Sequence, residues 1–137
     1  MSTTPEQNKE IIARFNKEFI EGGNEALFWE TVSPDFINRS AAPGQDGPDG
    51  AFHWFTRVLK VAFPDLAVTI HDQIAEGDKT VTRKSYVATH MAEFLGVPAT
   101  GRRVSFGVID IIRIVDGKYV EHWASPDMFG LYQQITA

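Results

Sequence analysis

The chain contains no cysteine, which removes disulfides, thiolate metal sites and cysteine nucleophiles from consideration. It also lacks any apolar run of the ~18 residues that a membrane-spanning helix requires. The opening stretch Met1-Ser2-Thr3-Thr4-Pro5-Glu6-Gln7 has no basic segment followed by an apolar one, so no export leader and a cytoplasmic location are expected. Neither GxGxxG nor GxxxxGK[ST] occurs, and no nucleotide cofactor is expected. The four histidines, His53, His71, His90 and His122, form no HExxH or His-x-His pair; no metal site is expected from such spacing. No serine sits in a GxSxG setting, which leaves an acyl-enzyme mechanism without support. Positive charge is also in short supply: thirteen basic against eighteen acidic side chains leave a net charge of −5. That balance argues against binding to phosphate backbones. Nucleic acid and membranes are therefore not expected as partners.

What is present describes one globular unit. With 137 residues, 43% of them hydrophobic and 12% aromatic, the chain has material for a real core within a single domain spanning residues 1–137. Thr4-Pro5-Glu6-Gln7 has the form of a capping box with proline at the first helical position, and Ile11, Ile12, Phe15 and Phe19 follow at helical spacing as far as Glu21. Asn24 caps a short second helix carrying Leu27 and Phe28, and Ser33-Pro34 ends it. An extended piece, Phe36-Ile37-Asn38, comes next, then a loop with three glycines and two prolines from Ser40 to Gly50. Pro48 opens a third helix that Pro64 closes.

From Leu66 the period changes to two. Leu66, Val68, Ile70 and Ile74 alternate with mostly polar neighbours. A turn at Gly77-Asp78 would pair Glu76 with Lys79, Ile74 with Val81 and Asp72 with Arg83, each an agreeable cross-strand match. A long strand follows from Arg102 to Val115, and Asp116-Gly117 turns it into a partner running from Lys118 to Ser125. Pro126 ends that strand, and Met128, Phe129, Leu131 and Ile135 mark a last amphipathic turn or helix. Helices first and an antiparallel meander afterwards define an α+β fold, with the helices laid over one face of a curved sheet.

One carboxylate stands out. Alternate positions of the long strand read Val104, Phe106, Val108, Asp110, Ile112, Ile114, so Asp110 interrupts an apolar face and must be paired, hydrogen-bonded or protonated there. Counting back from the Asp116-Gly117 turn sets 110 opposite 123 and 106 opposite 127. Trp123 and Asp127 would then share the Asp110 face, placing two carboxylates in an aromatic hollow where their protonation can diverge. The alternatives are a structural role for Asp110, met by backbone amides, Arg113 or Arg103, and helix capping for Asp127. His53 and His71 belong on exposed faces. His90 and His122 lie near strand ends and are better candidates for chemistry, although such histidines also serve structural roles. The aromatic complement, Trp54 included, suits either an ordinary core or a pocket for a flat hydrophobic ligand.

Several segments together resemble the SnoaL-like polyketide cyclase family of the nuclear transport factor 2-like superfamily. They include Ser33-Pro34-Asp35-Phe36-Ile37-Asn38, Phe63-Pro64-Asp65, Thr89-His90-Met91-Ala92-Glu93-Phe94-Leu95-Gly96-Val97-Pro98, Gly101-Arg102-Arg103, and His122-Trp123 through Pro126-Asp127 to Gln134. The resemblance implies a cone-shaped, curved antiparallel sheet (cystatin-like) whose N-terminal helices enclose a deep pocket, often in a homodimer or higher homo-oligomer. It also implies cofactor-independent lyase or isomerase chemistry. Asp127 would be the general acid/base of an intramolecular aldol ring closure, with Asn38 and His90 as pocket residues. Where the family's cyclases carry a glutamine and a histidine on the long strand, this chain has Val108 and Asp110.

The expectation is an acid/base enzyme acting on a small hydrophobic carbonyl compound. Asp127, Asp110 and His90 would carry the chemistry, and Asn38, Trp54, Val108 and Trp123 would contact the substrate. The rival readings are a non-catalytic carrier of a hydrophobic molecule and an epoxide hydrolase that uses Asp110 and Asp127 together.

Overall fold

The computed structural model describes residues 2–137. The first helix, α1 (Pro5–Arg14), starts at the capping box: Thr4 Oγ1 accepts from Gln7 N at 3.1 Å and Gln7 Oε1 accepts from Thr4 N at 2.9 Å. Those two bonds satisfy two of the amides a helix start leaves unpaired. The helix continues to Glu21 as a wider π-helical segment, Phe15–Glu21. Asn24 caps α2 (Glu25–Thr31) through a bond from Leu27 N at 3.3 Å, and the chain passes directly into β1 (Val32–Asn38). Next comes α3 (Pro48–His53), which runs on through a second π-helical segment, Trp54–Leu59, to a last turn, α4 (Lys60–Ala62). Wide turns of this kind push side chains outward from the helix axis, and both segments supply residues to the cavity described below.

Four strands follow: β2 (Ala67–Glu76), β3 (Lys79–Thr89), β4 (Arg103–Val115) and β5 (Lys118–Pro126), before the C-terminal helix α5 (Met128–Thr136). They form one sheet with β1 in the order β1-β5-β4-β3-β2. The sheet is mixed rather than wholly antiparallel, because β1 pairs with β5 in parallel. The hairpin matches Glu76–Lys79, Ile74–Val81 and Asp72–Arg83 all occur. The Asp116-Gly117 turn has positive φ at both residues, 51° and 77°, as a two-residue hairpin of the primed type demands.

Two bulges decide which side chains face inward. In β2 the register slips between Ile70 and Asp72, and Ile74, expected on the inner face, is instead 68% exposed. In β5, Ile114 pairs with Tyr119 but Arg113 pairs with Glu121, so Val120 is the extra residue. Every later side chain of β5 changes face relative to a strict count from the turn.

The core lies between the helices and the inner face of the sheet. Val104, Phe106, Val108, Ile112 and Ile114 of β4 are buried as their alternation requires. Above them Phe15, Phe19 and Phe28 pack in tilted pairs with centroids 5.1–6.0 Å apart. Each such buried ring is worth ~1.5–3 kcal/mol by apolar burial. Helix α5 covers the β4 edge beyond the end of β5. There the Gln134 side chain stands in for a strand, accepting from Ser105 N at 2.9 Å and donating to Ser105 O at 2.8 Å. Among the described residues no helix is long and apolar enough to cross a membrane.

Candidate active site

Between the helices and the sheet opens a cavity of about 470 Å³, within the size range of small-molecule sites. Its walls are mainly aromatic and aliphatic: Phe15 and Ile20 from the first π-helical segment, Phe28, Phe36, and Trp54 and Phe55 from the second. Polar side chains break this surface, among them Asn16, Asn38, Lys84, Asp110 and His122. These come from α1's extension, β1, β3, β4 and β5, so the site exists only when these four strands have come together.

The centre of the group is one carboxylate oxygen. Asp110 Oδ2 lies 3.4 Å from Lys84 Nζ and 3.6 Å from His122 Nε2. Lys84 Nζ also donates to Asn16 Oδ1 at 2.7 Å and stands over the Tyr86 ring, 5.2 Å from its centroid. Asn16 is held in turn by donation from its Nδ2 to the Ile12 carbonyl at 2.9 Å. Burial pushes the Asp110 carboxyl up, but the Lys84 ammonium and the His122 side chain outweigh it, and Asp110 titrates below the usual aspartate range. Burial also pulls Lys84 down, and Tyr86 and Asp110 more than restore it, so its ammonium persists above the ordinary lysine range. Asp110 is therefore an anion, not the neutral donor that an unpaired buried acid would become.

The tautomer of His122 follows from its neighbours. Ser40 N donates to Asn38 Oδ1 at 3.1 Å, which identifies that atom as the amide oxygen. The same oxygen lies 3.0 Å from His122 Nδ1, so Nδ1 carries the hydrogen. In the neutral ring Nε2 then bears a lone pair that can take a proton, and in the protonated ring it carries an N–H directed at Asp110 Oδ2, the form in which His122 lowers the Asp110 carboxyl. The parallel β1–β5 pairing places Asn38 beside His122. Ser40 is pinned to the same strand, accepting from Ala124 N at 2.8 Å.

The structure separates the residues singled out from the sequence. Asp110, Asn38 and Trp54 line the cavity. Trp123 does not: the bulge at Val120 pairs it with Ile111 and leaves Ala124 opposite Asp110. Its ring faces the other side of the sheet, with Lys79 Nζ 5.6 Å from the centroid. Asp127 is displaced by the same slip. It is exposed on the outer side, shares a shallow depression with Arg83 and Ser85, and caps α5 through Gly130 N at 2.9 Å. The expected pairing of Asp110 with Asp127 on one face does not occur, and the two-aspartate epoxide arrangement goes with it. Val108 is buried opposite Lys84 and Pro126 but outside the cavity wall. His90 is fully buried at the end of β3, with Nδ1 2.9 Å from Thr100 Oγ1 and its ring 5.7 Å from that of Phe63. It too lies outside the cavity wall.

Asn16, Lys84 and the inward face of His122 escaped the sequence reading. His122 stands among the candidate histidines, but the count from the turn sets Trp123 and not His122 on the Asp110 face, because nothing in the composition of β5 marks Val120 as an extra residue. Lys84 sits on a strand whose inner positions are Thr80, Thr82, Lys84 and Tyr86, a set that reads as a solvent face. The one available signal was Asp110 itself, a buried anion that called for a cation on a neighbouring strand. Among the described residues no three His, Asp or Glu side chains are grouped to hold a metal ion.

A curved sheet wrapped around helices, with a mainly apolar cavity and an ionised cluster in its wall, defines an α+β cone of the cyclase-like type. The chain belongs to the SnoaL-like polyketide cyclase family, whose model matches residues 10–135. It is 32% identical over 136 residues to aklanonic acid methyl ester cyclase DnrD of Streptomyces peucetius, covering 98% of this chain and 92% of that one. To nogalonic acid methyl ester cyclase of Streptomyces nogalater it is 30% identical over 111 residues, covering 77% and 81%. Among solved structures, TsrD from Streptomyces laurentii superposes with a TM-score of 0.79 at 30% identity, covering 95% of this chain and 92% of that chain. Wild-type IdmH from Streptomyces antibioticus superposes with a TM-score of 0.84 at 26% identity, covering 96% and 99%.

Proposed function

We propose that the protein is a cofactor-independent cyclase that closes a ring in a hydrophobic polyketide ester by intramolecular aldol addition. The observation that carries this reading is the His122–Asp110 pair, 3.6 Å apart in the wall of an apolar cavity, with the imidazole lone pair directed by Asn38. His122 Nε2 takes the acidic proton next to a substrate carbonyl, and the Asp110 carboxylate stabilises the imidazolium that forms. The enolate carbon adds to a second carbonyl of the same molecule, and the imidazolium returns the proton to the new alkoxide. The aromatic walls hold flat rings and bring the two reacting carbons together, which supplies the entropic part of the catalysis.

The reading gives the proton to His122 rather than to Asp127, which caps α5 outside the cavity wall. The named cyclase relatives support the substrate class. Incubating the purified chain with aklanonic acid methyl ester and nogalonic acid methyl ester, with the ring-closed product followed by chromatography, tests it. Ring closure is expected, and His122→Gln should slow it by about 10²–10⁴-fold, the range typical of a lost general base. Tight binding of these esters without any closure would overturn the reading and leave the protein a carrier.

A further inference from the structure

Lys84 is an expensive residue to keep where it is. Its side chain is 3% exposed and that of its partner Asp110 is 4% exposed, and desolvating two charges costs several kcal/mol each before their attraction is counted. Apolar residues of similar volume usually stabilise a core at least as well as such a pair. Nor is the pair complete as a structural device: Asp110 Oδ1 is buried without a hydrogen-bond partner, where a purely structural carboxylate would have its oxygens satisfied. The cluster lies in the wall of the cavity and is the part of it that carries charge.

The arrangement makes sense during proton transfer. Before reaction the Asp110 carboxylate sits between Lys84 and His122, closest to the ammonium through the same oxygen. When the substrate C–H bond breaks, its electron pair moves onto the carbonyl oxygen and its proton goes to His122 Nε2. A new cation then stands beside Asp110 and a new anion stands on the substrate. Asp110 becomes the counter-ion of the imidazolium, and the ammonium is released to the oxyanion. With a neutral substrate the total charge of the site is the same before and after, so no net charge has to enter an apolar cavity. Without Lys84 the Asp110 carboxylate would stand in the cavity wall with no fixed cation beside it to offset the enolate charge.

We propose that Lys84 is a catalytic residue whose ammonium binds the enolate oxygen, exchanging Asp110 for the substrate as its counter-ion. Substrates would accordingly need an enolisable carbonyl whose oxygen reaches the Asn16–Lys84 end of the cavity. The inference rests on the reading of this cavity as a proton-transfer site.

A dye separates the two claims. 4-Nitrophenol is flat and acidic, and its phenolate absorbs apart from the phenol, so absorbance reports which form is bound. In the wild-type protein the bound dye should favour the phenolate by about tenfold over free solution, equivalent to one pKa unit. Lys84→Met should abolish that preference while 4-nitroanisole, which cannot ionise, binds both proteins alike. No phenolate preference in the wild type, or the same preference in Lys84→Met, overturns the proposal. If ring closure is observed, Lys84→Met should lower kcat by about 100-fold with little change in KM, in the range for losing an oxyanion donor. Closure at the wild-type rate in that variant overturns the role of Lys84 but not the cyclase reading. A lysine-dependent phenolate preference without closure on any polyketide ester leaves the oxyanion site standing and removes the cyclase reading. Should Lys84→Met not fold, wild-type protein labelled with ¹⁵N-lysine provides the test: the buried ammonium resonance should move with 4-nitrophenolate and stay still with 4-nitroanisole. No movement with either overturns the proposal.

Discussion

Asn38 and His122 lie side by side across the parallel β1–β5 pair, with Asn38 Oδ1 accepting from His122 Nδ1 at 3.0 Å. This bond sets which imidazole nitrogen is free to take a proton. Asn38→Ala should therefore lower kcat by about 10–100-fold, less than the loss of His122 itself. Nitrogen NMR of the imidazole gives the direct check, as a single tautomer in the wild type should become a mixture in the variant.

Asp127 caps α5, its Oδ1 accepting from Gly130 N at 2.9 Å. Asp127→Ala should destabilise the protein by ~1 kcal/mol, and Asp127→Asn, which keeps a capping acceptor, by much less. Both should retain most of the ring-closing activity. A folded Asp127→Asn protein without turnover would return the acid/base role to this residue, so urea titration and rate measurement belong together.

The pH dependence of stability has a definite sign. Asp110 holds its proton less tightly in the folded chain than in the unfolded one, so lowering the pH favours unfolding. The stabilisation tied to its ionisation is complete above the ordinary aspartate pKa of ~3.9 and fades as the pH falls through the lowered folded value. Urea unfolding measured from neutral pH downward should show this acid loss in the wild type, and Asp110→Asn should lack that component while being less stable at neutrality.

Gln134 substitutes for a missing strand at Ser105, with bonds of 2.9 and 2.8 Å. Gln134→Ala should cost ~1–3 kcal/mol, two hydrogen bonds at the usual net value. Hydrogen exchange should show the Ser105 amide losing protection ahead of the rest of β4, a local effect that separates this edge from the core.

Much of this architecture is legible in the chain. The capping box at Thr4, the hairpin that pairs Asp72 with Arg83, and the buried alternation of β4 all follow from local rules: a cap needs its side chains three residues apart, a two-residue turn fixes register, and period two assigns a face. The parallel β1–β5 pair was not legible, because the short piece around Asn38 carries no mark of its neighbour. Position 120 defeated the count from the turn. A bulge is one added residue with no signature of its own, yet it exchanges Trp123 for His122 in the site. Lys84 was missed for a different reason: its strand buries threonines, a lysine and a tyrosine, and burial there is set by what the other strands bring, not by its own composition.

The added residue at Val120 lies between the hairpin turn and the site. Drawing Val120 into the ladder opposite Arg113 would advance the rest of β5 by one pair, turning Glu121, Trp123 and Ser125 toward the ligand and sending His122 outside. The helices, the turn and the other four strands would have no reason to rearrange. A scaffold built this way can exchange its reagents through the presence or absence of a single bulge, so relatives with the same outline need not share the same chemistry.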